Sequence, residues 1–537
     1  MLHTGRSPVL LLTLLPWAAI ILFPLAALYL WPARTPIVPP ASLGTDFMSL
    51  TLHSLGLAAV VAAIGTILGY IPGRLLGTSR RRQGLLLTIL LAHLVLPQYV
   101  LYFAWSVVLS PTTIIGQYTT QDIGLARLAG TITSGLVVCL WCWPLAALII
   151  AQGFRGLDAE VWHTARLDAG GPARFLHVTL PLLAKPLALA FGVCFTLTLG
   201  EFASFSLANI RTIGTELAVL LQRTGSPETV ARAAWPLTVV AVVVALLLWR
   251  KSQDGSLQPA AGIESEKFSK QDIGRWLVVA ILVCVSLLAP VGLLVLALKD
   301  LSPFANFWSL QRDGLLFGQT SSPPWFDLSC PGSMPTSAVA ALLALAVCLP
   351  TFLLRGRWPG AVLYITIFAA ALLPGSVIAA AIFKACGVLH CAQLRESWAI
   401  VSIALAARFA GILLIVLHLA RSREDRHLGE LAAVDGAGVY QAWRWVHLPR
   451  HWTLALGGLV LIWMLGLTEV TATSILLPPG VPNFAQRLLD QMHFARQQQA
   501  VASCLIVVGI YVALAVLAAA MLQWIRRPAS PASRARQ

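Results

Sequence analysis

Apolar runs of roughly 20 residues recur along the whole chain, each long enough to cross a ~30 Å hydrocarbon core as a helix. Twelve are readable, near 9–31, 50–72, 84–108, 130–152, 184–207 and 231–249, then near 276–298, 336–354, 358–383, 397–419, 453–476 and 500–524. Six precede and six follow a polar stretch, RKSQDGSLQPAAGIESEKFSK, which opens the gap at 250–275. The pattern predicts an all-α polytopic membrane protein of about 12 transmembrane helices. It divides into a first unit at 1–250, a linker at 251–275 and a second unit at 276–537. The first run is longer than the apolar core of a secretory signal, contains Pro16 and Pro24, and lacks a small-residue cleavage site. It reads as an uncleaved first helix.

The two halves carry the same marks in the same order. At a constant offset of 268, Ala165 falls on Ala433, Ala169 on Ala437, Gly170 on Gly438 and Val178 on Val446. Leu180-Pro181 falls on Leu448-Pro449, Glu201 on Glu469 and Ser206 on Ser474. The third run of each half also contains a Leu-Pro, at Leu96-Pro97 and Leu373-Pro374. An even number of spans per half makes both copies face the same way, and parallel repeats of this kind enclose a pathway at their interface.

Composition agrees with a membrane chain: of 537 residues 58% are hydrophobic and 11% charged, against about 25% charged in a soluble domain. The net charge of +15 points first to nucleic acid, but its distribution points elsewhere. With the N-terminus inside, the internal segments hold Arg6, Arg74, Arg80, Arg81, Arg82, the loops near 153–185 and 420–450, the linker and the tail. That places about 25 cations inside and about 10 outside, the bias that orients membrane proteins. No basic run is interleaved with exposed aromatics, so no nucleic-acid partner is expected. Most of the nine cysteines fall inside apolar runs and behave as small apolar residues. Cys330, Cys386 and Cys391 fall in expected external loops, where a disulfide is chemically permitted. Cys386, His390 and Cys391 are too short a cluster to argue for zinc, and no stably bound metal or cofactor is expected.

The hydrophilic loop after each fourth run is the most specific feature. The second copy reads Glu430-Leu-Ala432-Ala-Val-Asp435-Gly436-Ala-Gly438, with Pro449 eleven residues on. Glu430, Ala432 and Ala433 favour helix, Gly436 permits a turn, and a second short helix runs to Leu448-Pro449. A cytoplasmic helix–turn–helix of this size suits a groove on a soluble partner. The first copy is weaker: it lacks the Glu, reads Asp168-Ala-Gly170, and recovers at Val178-Thr-Leu-Pro181.

This loop resembles the Glu-Ala-Ala motif of permeases in binding-protein-dependent ABC importers, departing at Leu431, where the family usually has Ala. The resemblance implies two tandem six-helix permease units in a bacterial inner membrane. It implies coupling loops at 153–183 and 420–450 that dock ABC ATPase subunits, and a separate periplasmic or extracellular solute-binding protein that delivers cargo. Glu430, Ala432, Asp435, Gly436, Gly438 and Pro449 would carry the coupling in the second loop, and Asp168, Gly170 and Pro181 in the first. No Gly-x-x-x-x-Gly-Lys-Ser/Thr occurs in the chain, so ATP would be bound and hydrolysed by the partner and the chain itself is not an enzyme.

Glu469-Val-Thr-Ala-Thr-Ser-Ile-Leu-Leu-Pro-Pro-Gly480, followed by Arg487 and Gln491-Met-His-Phe-Ala-Arg496, is similar to the ferric-iron members of that family. Fe(III) prefers oxygen ligands, which inward-facing Glu201 and Glu469 could supply; bracing of the interface is the alternative role. Thiamine, polyamine or an oxyanion as cargo, and an ion-gradient-driven secondary transporter, are the other readings. Arg408, with His93 and His418, lies in an apolar run, where a charge costs ~2.5–3.5 kcal/mol at mid-bilayer and must face protein or a cavity. Pairing with Glu469 or Glu201 is one solution for it.

Overall fold

A computed structural model describes residues 7–32, 47–78, 83–157, 164, 170–253, 270–299, 301–302, 333–354, 358–422, 431–432, 434–438, 441, 444–445, 448–479, 481, 483–493 and 497–525. Among them every regular element is a helix. Among the described residues seven helices are long and apolar enough to cross a membrane, or up to nine if each of two bent pairs is one span. This is the architecture of a polytopic membrane protein.

The first half comprises α1 (Leu12–Leu30), α2 (Phe47–Thr78), the bent pair α3 (Gln83–Val95) and α4 (Gln98–Leu109), α5 (Ile123–Arg155) and α6 (Gly171–Leu199). Two short helices follow, α7 (Ala203–Leu207) and α8 (Ile213–Thr224), then α9 (Pro227–Arg250). The second half comprises α10 (Ile273–Ala297), α11 (Ser333–Cys348), the bent pair α12 (Pro359–Leu372) and α13 (Gly375–Leu389), and α14 (Ala399–His418). It continues through α15 (Leu448–Leu467), α16 (Thr471–Leu476), α17 (Phe484–His493) and α18 (Gln497–Ile525). α11, α15 and α18 lie at the positions of the eighth, eleventh and twelfth apolar runs.

Proline explains the irregularities. The bends between α3 and α4 (79°) and between α12 and α13 (117°) fall at Leu96-Pro97 and Leu373-Pro374, where the ring removes a donor and clashes one turn back. Three π-helical turns, Ala18–Leu22, Phe175–Thr179 and Cys284–Leu288, each end two residues before a proline: Pro24, Pro181 and Pro290. Widening the turn accommodates the ring without ending the helix. The helix of the first loop therefore runs through Pro181 into α6, rather than stopping there as the bare Leu-Pro suggested.

The packing repeats. In the first half α2, α5 and α6 pack mutually; in the second, α11, α14 and α15 do. On α2, a Cβ at Gly69, Gly73 or Gly77 would lie within 3.0 Å of α5 atoms, so small residues set the close approach of these helices. The opening helix of each half crosses to the other: α1 packs on α11 and α13, while α10 packs on α2 and α4. Likewise α9 lies against α12 and α13, and α18 against α3. One core cluster accordingly joins Trp17, Ile21 and Leu28 to Leu237, Ala340, Val377 and Leu405.

Polar contacts show which chain ends share a level. Pro32, Glu228 and Lys384 meet at one end; separately, Gln498 bridges Ala297 and Lys299. At the other end Gln83 and Arg155 both donate to the Leu76 carbonyl. Cys386, expected in an external loop, instead lies in α13 and is buried, because α13 continues to Leu389 before His390 turns left-handed (φ 55°). Cys330 lies outside the described residues.

Candidate functional site

Two groups of residues stand out: a polar junction between the halves and the loop before α15.

At the junction, α6 ends at Leu199 and Gly200, and α15 ends at Leu467 and Thr468; the next residues are Glu201 and Glu469. Each carboxylate turns forward to accept the freed backbone N–H groups of the short helix that follows. Glu201 Oε1 accepts from the Ser204 N–H at 2.8 Å. Glu469 accepts from the Ala472 N–H at 3.0 and 3.1 Å, the Thr473 N–H at 3.1 Å and the Thr473 hydroxyl at 3.2 Å. Both side chains are buried. The helices they cap, α7 and α16, pack on α4 and α13, the limbs that follow the proline bends. A proline therefore opens the second limb of each broken span, and the carboxylate that ends the second helix after it, α6 or α15, closes over that limb.

The repeat departs from symmetry in the partners. Gln98, the first residue after Pro97, donates its amide to Glu201. The matching position after Pro374 is Gly375, where a Cβ would collide with the Arg408 guanidinium and lie 2.9 Å from Thr471 Cβ. Arg408 occupies that space, and its Nη1 lies 3.4 Å from Glu469 Oε1. The intramembrane arginine therefore pairs with Glu469, the first of the two partners open to it. Gly200 rests against Pro374, with a virtual Cβ 3.4 Å from its Cα, so the first half's junction abuts the second half's bend. Trp141 Nε1 donates to the Leu96 carbonyl at 2.9 Å, covering a backbone group that Pro97 leaves without its helical donor. His93 and His418 are tied to Leu140 O (2.7 Å) and Tyr364 Oη (3.3 Å), away from both carboxylates.

Sequence reading missed Gln98 and a second polar contact. Lys384 on α13 pairs with Glu228 at the start of α9, and its Nζ donates to Pro32 O at 3.0 Å. Glu228 Oε2 accepts from the Ser226 hydroxyl at 3.2 Å. Both ionic side chains are at most 7% exposed. The signal was present as a single cation just past an apolar run, but nothing in a linear pattern names its partner 156 residues away.

In the loop, Leu431, Ala432 and Val434 are helical, and Gly436 takes φ 75°. Asp435 N–H donates to Leu431 O and Ala437 N–H to Ala432 O, each at 2.9 Å. This is a Schellman-type helix end, which needs the left-handed residue glycine supplies. Gly438 N–H then donates to Gln441 Oε1 at 2.9 Å, the backbone half of a capping box that restarts the helix. In the first half, Gly170 is the cap of the helix Gly171–Arg174, with Pro172 in its first turn. Both loops thus restart helix at the glycines paired by the 268 offset. Leu431, Val434 and Trp445 are 58%, 83% and 72% exposed, an apolar surface on a loop outside the long helices. Glu430 and Asp168 lie outside the described residues. Pro449 lies in the first turn of α15, as Pro181 lies at the start of the α-helical part of α6.

Among the described residues no group of three or more His, Cys, Asp or Glu could hold a metal ion. Comparison of the chain with models of known protein families, with curated proteins and with solved structures yielded no match.

Proposed function

We propose that the chain is the membrane permease of an ATP-driven ABC importer, built as two six-helix units with twelve spans in a bacterial inner membrane. Separate ATPase subunits dock at the loops 153–183 and 420–450, and an external binding protein hands over ferric iron. The observation that carries this reading is the 431–441 loop. A short helix ends at a left-handed glycine, a second helix restarts two residues later, and large apolar side chains stand exposed. Exposed apolar surface on a structured turn favours a protein partner. The repeated helix packing in the two halves supports the reading, because a pathway between two like units needs a repeated interface. The iron assignment rests on the resemblance of 469–496 and on the oxygen chemistry of the carboxylates.

A photoreactive residue at Val434, activated in native membranes, tests the docking. The expected product is a cross-link to a chain that is itself labelled by an ATP analogue. Labelling of lipid alone at this position would remove the coupling role.

A further inference from the structure

The two matched carboxylates differ in charge balance. Glu469 has its counter-ion within the chain: Arg408 at 3.4 Å, with three further donor groups on its oxygens. Glu201 has the Ser204 N–H and the Gln98 amide, and no ion pair among the described residues. It is nevertheless 4% exposed. An ionised carboxylate this deep is costly without a positive partner, whereas one that awaits a cation is poised to bind it.

The surroundings of Glu201 also hold polar groups that nothing satisfies. Ser204 Oγ, three residues on, and Tyr99 Oη, next to Gln98 on α4, are both buried without a hydrogen-bond partner. Tyr99 lies within electrostatic reach of Tyr511, Cys504 and both carboxylates, Glu469 ahead of Glu201. Buried hydroxyls are rarely left unpaired in a finished core. Gln98 adds adaptability, since turning its amide exchanges the donor for a carbonyl oxygen. α7, which carries Ser204, packs on α4, which carries Gln98 and Tyr99.

We propose that Glu201, with the Ser204 and Tyr99 hydroxyls and the Gln98 carboxamide, is the contact site for a transported cation that prefers oxygen ligands. At the matched position Arg408 Nη1 lies 3.4 Å from Glu469 Oε1, so that carboxylate already has a counter-ion and the junction offers one cation site rather than two. In sequence the carboxylates looked equivalent; their partners make them unequal. The cargo role rests on the transport reading, but the binding chemistry is testable without it.

Terbium(III), a hard trivalent ion whose luminescence tyrosine sensitises, is the probe, titrated into the purified full chain without ATP or any partner. The expected result is one saturable sensitised site that gallium(III) displaces. Glu201→Gln should weaken it roughly tenfold or more, the scale of losing a charge-assisted ligand. Glu201→Asp, which keeps the charge, should retain part of the affinity. Arg408→Gln should add a second equivalent by releasing Glu469, and this arm does not depend on the Glu201 variants folding. Wild-type binding by Glu201→Gln, or an Arg408→Gln chain that still binds one equivalent, would overturn the proposal. Since the titration needs neither ATP nor transport, its failure would leave the importer reading standing, and loss of ATP-driven uptake would leave the site standing.

Discussion

Replacing Glu228 by Leu will destabilise the chain by about 3–5 kcal/mol, the cost of stripping one partner from a buried ion pair. Lys384 is 5% exposed and 156 residues distant, so the orphaned ammonium has no short route to water. Its second contact, the Pro32 carbonyl at 3.0 Å, is a dipole and not a counter-charge. Lys384→Met should cost a similar amount, because it strips the paired cation from a Glu228 side chain that is itself only 7% exposed. The double variant should recover much of either loss, since two apolar side chains of similar size remove both charges together. Unfolding of the purified chain in mixed micelles, followed as a double-mutant cycle, measures the coupling. Additive losses would mean that the two side chains do not form the contact. Because the pair joins α9 of the first half to α13 of the second, with the chain just after α1 as third party, its loss should also loosen the two halves.

Gly436→Val will abolish transport while leaving insertion and the transmembrane fold intact. A Cβ at Gly436 meets no atom within 4 Å, so crowding is not the cause. The cause is φ 75°, a left-handed conformation that costs an L-residue roughly 1–2 kcal/mol and a β-branched one more. Valine would restore right-handed geometry, break the Ala437–Ala432 hydrogen bond and misplace the helix that restarts at Gly438. Asparagine tolerates the left-handed region, so Gly436→Asn should keep most of the uptake. Cargo uptake by cells, with membrane levels checked by blotting, separates these outcomes. Equal uptake by the Val and wild-type chains would remove the loop from the coupling path.

Much of the fold was legible because the bilayer imposes a strong length and polarity rule. The apolar runs marked the helices, but the break at the Leu-Pro of each third run was not read from the pattern, which ran on through it. Where the expectation differed, a local compensation was responsible. Pro181 looked like the boundary of a span, yet a π turn before it keeps the helix running, as π turns do before Pro24 and Pro290 inside their apolar runs. In the second half α11 ends at Cys348, short of the end of its apolar run. The crossing of α1 and α10 to the opposite halves was not legible, since both helices are apolar on most faces and such a pattern names no neighbour. At the junction, the constant offset singled out Glu201 and Glu469, and bilayer cost singled out Arg408. The Gln98 contact escaped because a neutral amide beside a proline carries no linear signature. The Lys384–Glu228 pair escaped because pairing is a property of the folded interface.

The source of energy for uptake tests the central claim most directly. Iron-55 accumulation should be measured in cells carrying the native complex, with ATP and the ion gradients manipulated separately. The account predicts that depleting ATP or adding vanadate stops uptake while gradients persist. It also predicts that collapsing the proton and sodium gradients at maintained ATP leaves uptake running. Uptake that follows the gradients and ignores ATP would make the chain a secondary transporter and contradict the account.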